Sequence, residues 1–178
     1  MTSHHVATPR SRSRRLAHWA LATLTIALTG CALDATAPVR TDEATVLQVI
    51  DGDTIRARIT GTKETVRLIG IDTPETQHPT KGVQCYGPEA SQFLQQLLPA
   101  GSTLRIERDD ESRDAYRRLL LYMFVTVNGT EVFVNREMVL RGYARPLDIA
   151  PNSRYNHVFV QAAFDAHRNS RGLWKWCK

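Results

Sequence analysis

Three observations predict an α+β fold, and more narrowly a five-stranded β-barrel of the OB type with three α-helices. Short segments of strand period crowd the front of the chain, a proline-opened amphipathic helix interrupts them, and two further helical stripes follow near the end. The strands are too few for a sandwich, whereas a small closed barrel with helices laid against it would bury their apolar faces.

In chain order, Thr45–Ile50 is β-rich and runs into an Asp51-Gly52 turn, and Thr54–Ile59 alternates with period two. Gly61-Thr62-Lys63 reads as a turn and Thr65–Ile71 as the third strand. Pro88 opens a helix with Ala90, Phe93, Leu94, Leu97 and Leu98 on one face. Strands at Thr103–Arg108 and Leu119–Val127 follow, and Asn128-Gly129 is a hairpin signal before Thr130–Val134. A short helix over Asn135–Arg141 and a longer one over Tyr155–Asn169 complete the domain. Asp109-Asp110-Glu111 reads as the cap of a solvated loop, and Trp174 and Trp176 as packing residues.

The N-terminal segment is set apart from this fold. Arg10, Arg12, Arg14 and Arg15 precede an apolar stretch from Leu16 to Leu28, and no acid occurs before Asp34. That is the layout of an export signal, too short for a comfortable membrane span. Leu28-Thr29-Gly30-Cys31 is similar to a bacterial lipobox, which makes Cys31 the expected lipid-bearing N-terminus and the protein an exported, membrane-anchored lipoprotein of the cell envelope. Without lipidation it would be secreted. The expected organisation is therefore residues 1–31 as a lipoprotein-type signal peptide, 32–44 as a flexible tether and 45–178 as the folded domain, expected to be a monomer.

Charge and cysteines are read against that division. The whole chain has 23 Lys+Arg against 18 Asp+Glu. Setting aside the four arginines of residues 1–31 leaves 19 against 18, so global basicity gives no argument for a polyanionic partner and only a local patch can. With Cys31 assigned to lipid, Cys85 and Cys177 remain as an even pair in an oxidising compartment, and a disulfide between them is expected. Closing a loop of about 90 residues would stabilise the domain by up to ~4–5 kcal/mol on chain-entropy grounds.

The chemistry-bearing residues lie in Asp51-Gly52-Asp53-Thr54 and in Arg67 through Glu75. Asp53 opens the second strand and Asp72 closes the third, so antiparallel pairing sets both carboxylates toward one cation, with the Thr73 carbonyl as a third oxygen. An all-oxygen set without Cys or His implies a hard ion, Ca²⁺ or Mg²⁺, with Ca²⁺ favoured. Glu75, stiffened by Pro74, is placed to hold an attacking water, though a solvated loop glutamate is the plainer reading. Alternation leaves Arg67 facing either solvent or the cleft. Its planar fork, like that of Arg118 far downstream, suits a phosphate.

Asp53, Arg67, Asp72, Thr73, Glu75 and Arg118 stand in the pattern of the staphylococcal nuclease (thermonuclease) family, which the chain resembles from about Thr45 to Trp174. The most specific pieces are Ile50-Asp51-Gly52-Asp53-Thr54, Arg67 through Glu75, His78-Pro79, Lys81-Gly82-Val83 and Tyr86-Gly87-Pro88-Glu89-Ala90-Ser91. The resemblance implies an OB barrel with three helices. It further implies one Ca²⁺ held by Asp53, Asp72 and the Thr73 carbonyl, water handled by Glu75, and the reacting phosphate bound by Arg67 and Arg118. Lys81 and Tyr116 fall where the family contacts nucleotide phosphates. The implied activity is cleavage of DNA and RNA phosphodiesters, leaving 3′-phosphate ends. An OB cleft that takes nucleic acid by its backbone is expected to favour single strands or breathing duplex.

The chain also departs from the family. Arg117 stands where the family usually has glycine between Tyr116 and Arg118, and is expected to displace Arg118, to add a phosphate contact or, in another register, to serve as the catalytic arginine itself. Ala115 replaces a common lysine, and Arg145-Pro146-Leu147-Asp148-Ile149 offers no aromatic for the nucleotide base. The reading is a Ca²⁺-dependent, sugar-nonspecific endonuclease. Its rival is a catalytically weak or inactive OB-fold module that binds nucleic acid.

Overall fold

A computed structural model describes Met1, residues 42–76 and residues 82–177. Cys31, His78-Pro79 and Lys81 lie outside the described residues, as does nearly all of the expected signal peptide and tether. The chain divides into Met1–Pro38 and Val39–Lys178, and the architecture that follows belongs to the second unit.

The elements are β1 (Asp42–Val49), β2 (Thr54–Ile59), β3 (Thr62–Leu68), β4 (Ile71–Asp72), α1 (Gly87–Leu97), β5 (Thr103–Glu107), β6 (Leu119–Val127), β7 (Thr130–Phe133), α2 (Val134–Leu140), β8 (Arg145–Pro146), α3 (Asn156–Arg168) and α4 (Leu173–Trp176). Strands β3-β2-β1-β5-β6 lie side by side, and a parallel pairing of β3 with β6 closes them into a five-stranded barrel. β7 folds back on β6 through Asn128-Gly129, whose φ values of 51° and 78° are those the tight hairpin turn demands. No helix among the described residues is long and apolar enough to cross a membrane.

The barrel closes because β2 and β6 put their apolar positions inward. Ile55, Ala57 and Ile59 alternate with exposed Arg56 and Arg58, and Leu121, Met123 and Val125 meet Leu104 and Ile106 from β5. Leu94 of α1, Met138 of α2 and Phe159 of α3 are likewise buried in this core. α4 is a single turn beyond the three predicted helices.

Several local expectations change. The last three residues of the expected tether are strand: β1 begins at Asp42, pairs there with β5 and buries Ala44 in the core. Thr65–Ile71 is not one strand: Gly70 takes φ 77°, the chain turns after Leu68, and Ile71-Asp72 pairs separately with Arg145-Pro146. The seam is held by Asn135, fully buried on α2, whose Oδ1 accepts the Met123 N–H at 3.0 Å while Nδ2 donates to the Ile69 carbonyl at 2.9 Å. Asp109 is also no solvated cap. Its carboxylate accepts the Tyr122 hydroxyl at 2.7 Å and pairs with Arg154 at 3.4 Å. Burial alone would raise that acid, but these partners hold it below its ordinary value.

At the C-terminal end, the Cα atoms of Cys85 and Cys177 are 5.8 Å apart, within disulfide reach. Trp174 packs beneath Arg145 and against His167, whereas Trp176 is exposed rather than packed.

Candidate active site

The acidic tetrapeptide turn and the exit of β3 meet because Gly52 has no side chain. A Cβ there would lie 2.7 Å from the Thr73 hydroxyl. Opposite this contact, Thr54 pairs with Arg67, and the Leu68 N–H donates to the Asp53 carbonyl at 2.9 Å. The start of β2 and the end of β3 are thereby locked in register, with Asp53 and Arg67 on the same rim.

Asp53 is buried, with Oδ2 crowded by partners and Oδ1 holding only one. Its Oδ2 accepts the Thr73 N–H and hydroxyl, both at 3.0 Å, and lies 2.9 Å from Arg67 Nη1, while Oδ1 accepts the Thr54 hydroxyl at 3.0 Å. Arg67 Nη2 reaches Asp72 Oδ1 at 3.1 Å. The alternation that left Arg67 open is thus resolved toward the cleft: its side chain is only 12% exposed and spans two carboxylates. Asp72 keeps a carboxylate 58% exposed. Burial raises its pKa above the ordinary value, Arg67 pulls it back, and the Asp53 charge raises it again.

Asp51 belongs to the cluster although no role was expected of it. Its Oδ1 accepts the Asp53 N–H at 3.1 Å. Burial first, and then the Asp53 and Glu75 carboxylates, push it up to about 6. The sequence signal was its place two residues before Asp53 in the same turn. Glu75 is exposed; its N–H donates to Gln84 Oε1 and its carbonyl accepts the Gln84 N–H, each at 2.9 Å, which ties its loop to the entry of α1.

Arg67 thus bridges two carboxylates of an acidic cluster, and Asp51 and Asp72 have raised pKa values, first because burial disfavours their charge and then because neighbouring carboxylates add to it. A hard divalent cation suits that electrostatic need and the all-oxygen donor chemistry. Among the described residues no three His, Cys, Asp or Glu side chains form a ready-made metal cage. A cation would draw instead on Asp53, Asp72, the Thr73 carbonyl and water.

Arg118 does not touch this cluster. In the parallel ladder Arg67 pairs with Leu120, and Arg118, just before β6, enters the same cavity as Arg67. Arg67, Arg118, Leu120, Tyr116, Leu147 and Ile149 line one cavity of about 460 Å³. Arg118 is aimed by Asp114, whose Oδ2 accepts its Nε–H at 2.6 Å while Oδ1 accepts the backbone N–H groups of Tyr116 and Arg118. Tyr116 is 82% exposed at the cavity mouth, and the floor is aliphatic where an aromatic was missed in the sequence.

Arg117 explains its own departure from pattern. Its φ of 68° is the left-handed conformation that glycine adopts without cost and that strains any other side chain by roughly 1–2 kcal/mol. The turn survives because the Arg117 N–H donates to the Asp114 carbonyl at 2.9 Å and its own carbonyl accepts Arg113 Nη1 at 2.7 Å. Arg118 is accordingly kept in register, and the exposed Arg117 side chain does not line the cavity.

The profile described as "Staphylococcal nuclease homologue" matches residues 65–176, more than half of the chain. The chain belongs to the staphylococcal nuclease family. Within that family it is 39% identical to the thermonuclease of Staphylococcus intermedius over 137 residues, 77% of this chain and 79% of that protein. It is 38% identical to the thermonuclease of Staphylococcus hyicus over 129 residues, 72% and 73% of the respective chains. Endonuclease YncB of Bacillus subtilis is 36% identical over 132 residues, 73% of this chain and 60% of that protein.

Proposed function

We infer that this chain is a nuclease hydrolase, an endonuclease that cleaves DNA and RNA phosphodiesters with the help of one Ca²⁺ and leaves 3′-phosphate ends. The observation that carries this reading is the pair of guanidinium forks, Arg67 and Arg118, projecting into one cavity beside a carboxylate cluster. Its family membership, with relatives named thermonuclease and endonuclease, supports the same activity.

Arg67 and Arg118 bind the reacting phosphate and meet the negative charge that grows on its oxygens. Both are aimed before substrate arrives, Arg67 by Asp53 and Asp72 and Arg118 by Asp114, so little reorganisation is left for the transition state. Glu75, exposed at the end of a tied loop, orients the water for in-line attack and takes up its proton. Bound by Asp53, Asp72 and the Thr73 carbonyl, Ca²⁺ would polarise a phosphoryl oxygen. Tyr116, exposed at the cavity mouth, gives a base a ring to stack on. Single strands, whose bases are free to stack, are therefore the preferred substrates. Arg117, solvent-facing beside Tyr116, adds a phosphate contact, as does Lys81.

The protein acts as a monomer outside the cytoplasm. Residues 1–31 direct export, lipid on Cys31 anchors it, the segment from residue 32 up to the start of β1 tethers the domain, and Cys85 and Cys177 form a disulfide there.

The test is cleavage of single-stranded DNA and RNA by the purified protein in Ca²⁺ and in EGTA, with the product ends identified. Calcium-dependent cutting to 3′-phosphate termini is the expected result. Equal cutting in EGTA, or 5′-phosphate termini, would contradict the assignment.

A further inference from the structure

A second cavity, of about 530 Å³, is used by nothing in this chemistry. It is lined by Tyr86, Glu137, Leu140, Arg141, Tyr143 and Arg171, together with the backbone of Gly172. We propose that it is a second phosphate seat, where Arg141 and Arg171 hold a strand that extends beyond the scissile bond, with Tyr86 and Tyr143 beside its base. The proposal rests on the nuclease reading and names a further subsite of the same substrate, a single-stranded polynucleotide.

The two arginines are delivered to the cavity by backbones in direct contact. Gly142 and Gly172 both have positive φ, 77° and 53°. A Cβ on Gly142 would lie 2.3 Å from the Arg171 carbonyl oxygen, and one on Gly172 would lie 2.2 Å from that of Gly142. The Leu173 N–H donates to the Gly142 carbonyl at 2.8 Å and completes the clasp. Arg141 and Arg171, each preceding one of these glycines, are thereby fixed as neighbours although thirty residues separate them.

Their charge exceeds what the protein neutralises. Arg141 Nε is paired with Glu137 at 2.6 Å, and Arg171 Nη1 donates to the Leu140 carbonyl at 3.1 Å. Both side chains are exposed, and among the described residues the Nη groups of Arg141 and the Nε and Nη2 of Arg171 have no protein acceptor. Two planar forks against one carboxylate suit a phosphodiester better than a neutral ligand. The aromatic wall suits the attached nucleoside: Tyr86 stacks on Tyr143 at 5.4 Å, and Tyr143 on Phe93 at 4.4 Å.

Position links this seat to catalysis. Gln84 binds both the N–H and the carbonyl of Glu75, and two residues on, Tyr86 lines the cavity. Gly87, next to Tyr86, also abuts Glu75, a Cβ there lying 2.7 Å from the Glu75 carbonyl oxygen, so the proposed strand runs from the reacting phosphate past Glu75 to Tyr86.

The experiment compares wild type with Arg141→Ala/Arg171→Ala on single-stranded oligonucleotides from two to twelve nucleotides, measuring KM, kcat and the salt dependence of binding. We expect the double variant to bind the twelve-nucleotide strand about tenfold more weakly, with a salt slope shallower by about 1, as loss of one to two phosphate contacts on a single strand requires. Cleavage of the dinucleotide should be unchanged. Arg141→Ala alone, which removes only a surface pair with Glu137, should give a smaller loss in the same direction and guards against a folding effect of the double change. An unaltered length dependence and salt slope in a variant that still cuts would overturn the second seat and leave the nuclease intact. Wild-type protein that neither cuts nor binds the twelve-nucleotide strand would overturn both.

Discussion

Arg67→Ala is expected to lower kcat/KM by about 10³-fold, the scale of losing one aimed donor at a developing oxyanion. Two effects add. The reacting phosphate loses a fork, and Asp53 and Asp72 lose the one cation that stands between them. Asp53 has a side chain only 8% exposed, so its charge cannot be given back to water. Arg67→Lys separates the two effects. A lysine restores a positive charge near Asp53 but cannot span two carboxylates and a phosphate with a planar fork, so it should recover stability more than rate. Steady-state kinetics and thermal denaturation on the same preparations check this. Recovery of full rate by lysine would show that Arg67 supplies charge alone.

Asn135→Ala is expected to destabilise the domain by about 3 kcal/mol, lowering Tm by roughly 10 °C. Asn135 is fully buried, and its amide serves three backbone groups: the Met123 N–H at 3.0 Å, the Ile69 carbonyl at 2.9 Å and the Leu121 carbonyl at 3.4 Å. These lie where the β3–β6 ladder stops at Leu68 and Leu121 and the chain departs toward Asp72. Truncation leaves an N–H and carbonyls without partners in an interior that water does not reach, which costs more than the hydrogen bonds contribute. Because the seam also positions Asp72, catalytic efficiency should fall even below the melting range. A loss under about 1 kcal/mol would mean that these groups find other partners.

These two residues also mark how far the sequence could be read. β2 and β6 were legible to the residue, Thr54–Ile59 and Leu119–Val127, β2 because its buried and exposed positions alternate and β6 because a β-rich apolar run, buried on both faces, stops at the Asn128-Gly129 turn. The break after Leu68 was not, because Leu68, Ile69 and Ile71 are all buried and an unbroken apolar run carries no period. Asn135 read as an ordinary polar residue at a helix start, since all its partners lie at least 12 positions away. The site followed the same division. Asp53 and Arg67 were readable as the neighbouring ends of two short motifs that antiparallel pairing of β2 with β3 sets side by side, whereas the turn at Gly70 that carries Asp72 back to Arg67 was not. Asp51 went unassigned because its effect is electrostatic and needs Asp53 and Glu75 both in place. The strain at Arg117 could be suspected only from the glycine usual at that position, and its rescue by Arg113 depends on contacts that composition does not reveal.

The central claim is that a positioned carboxylate, Glu75, drives water onto a phosphate held by two arginines. It is tested most directly by single-turnover cleavage of one labelled oligonucleotide by wild type and Glu75→Gln in Ca²⁺, with the Kd of each measured in parallel. The account predicts cleavage slower by about 10³-fold at nearly unchanged Kd, as removal of a general base without loss of binding requires. Cleavage by the variant at the wild-type rate would contradict it.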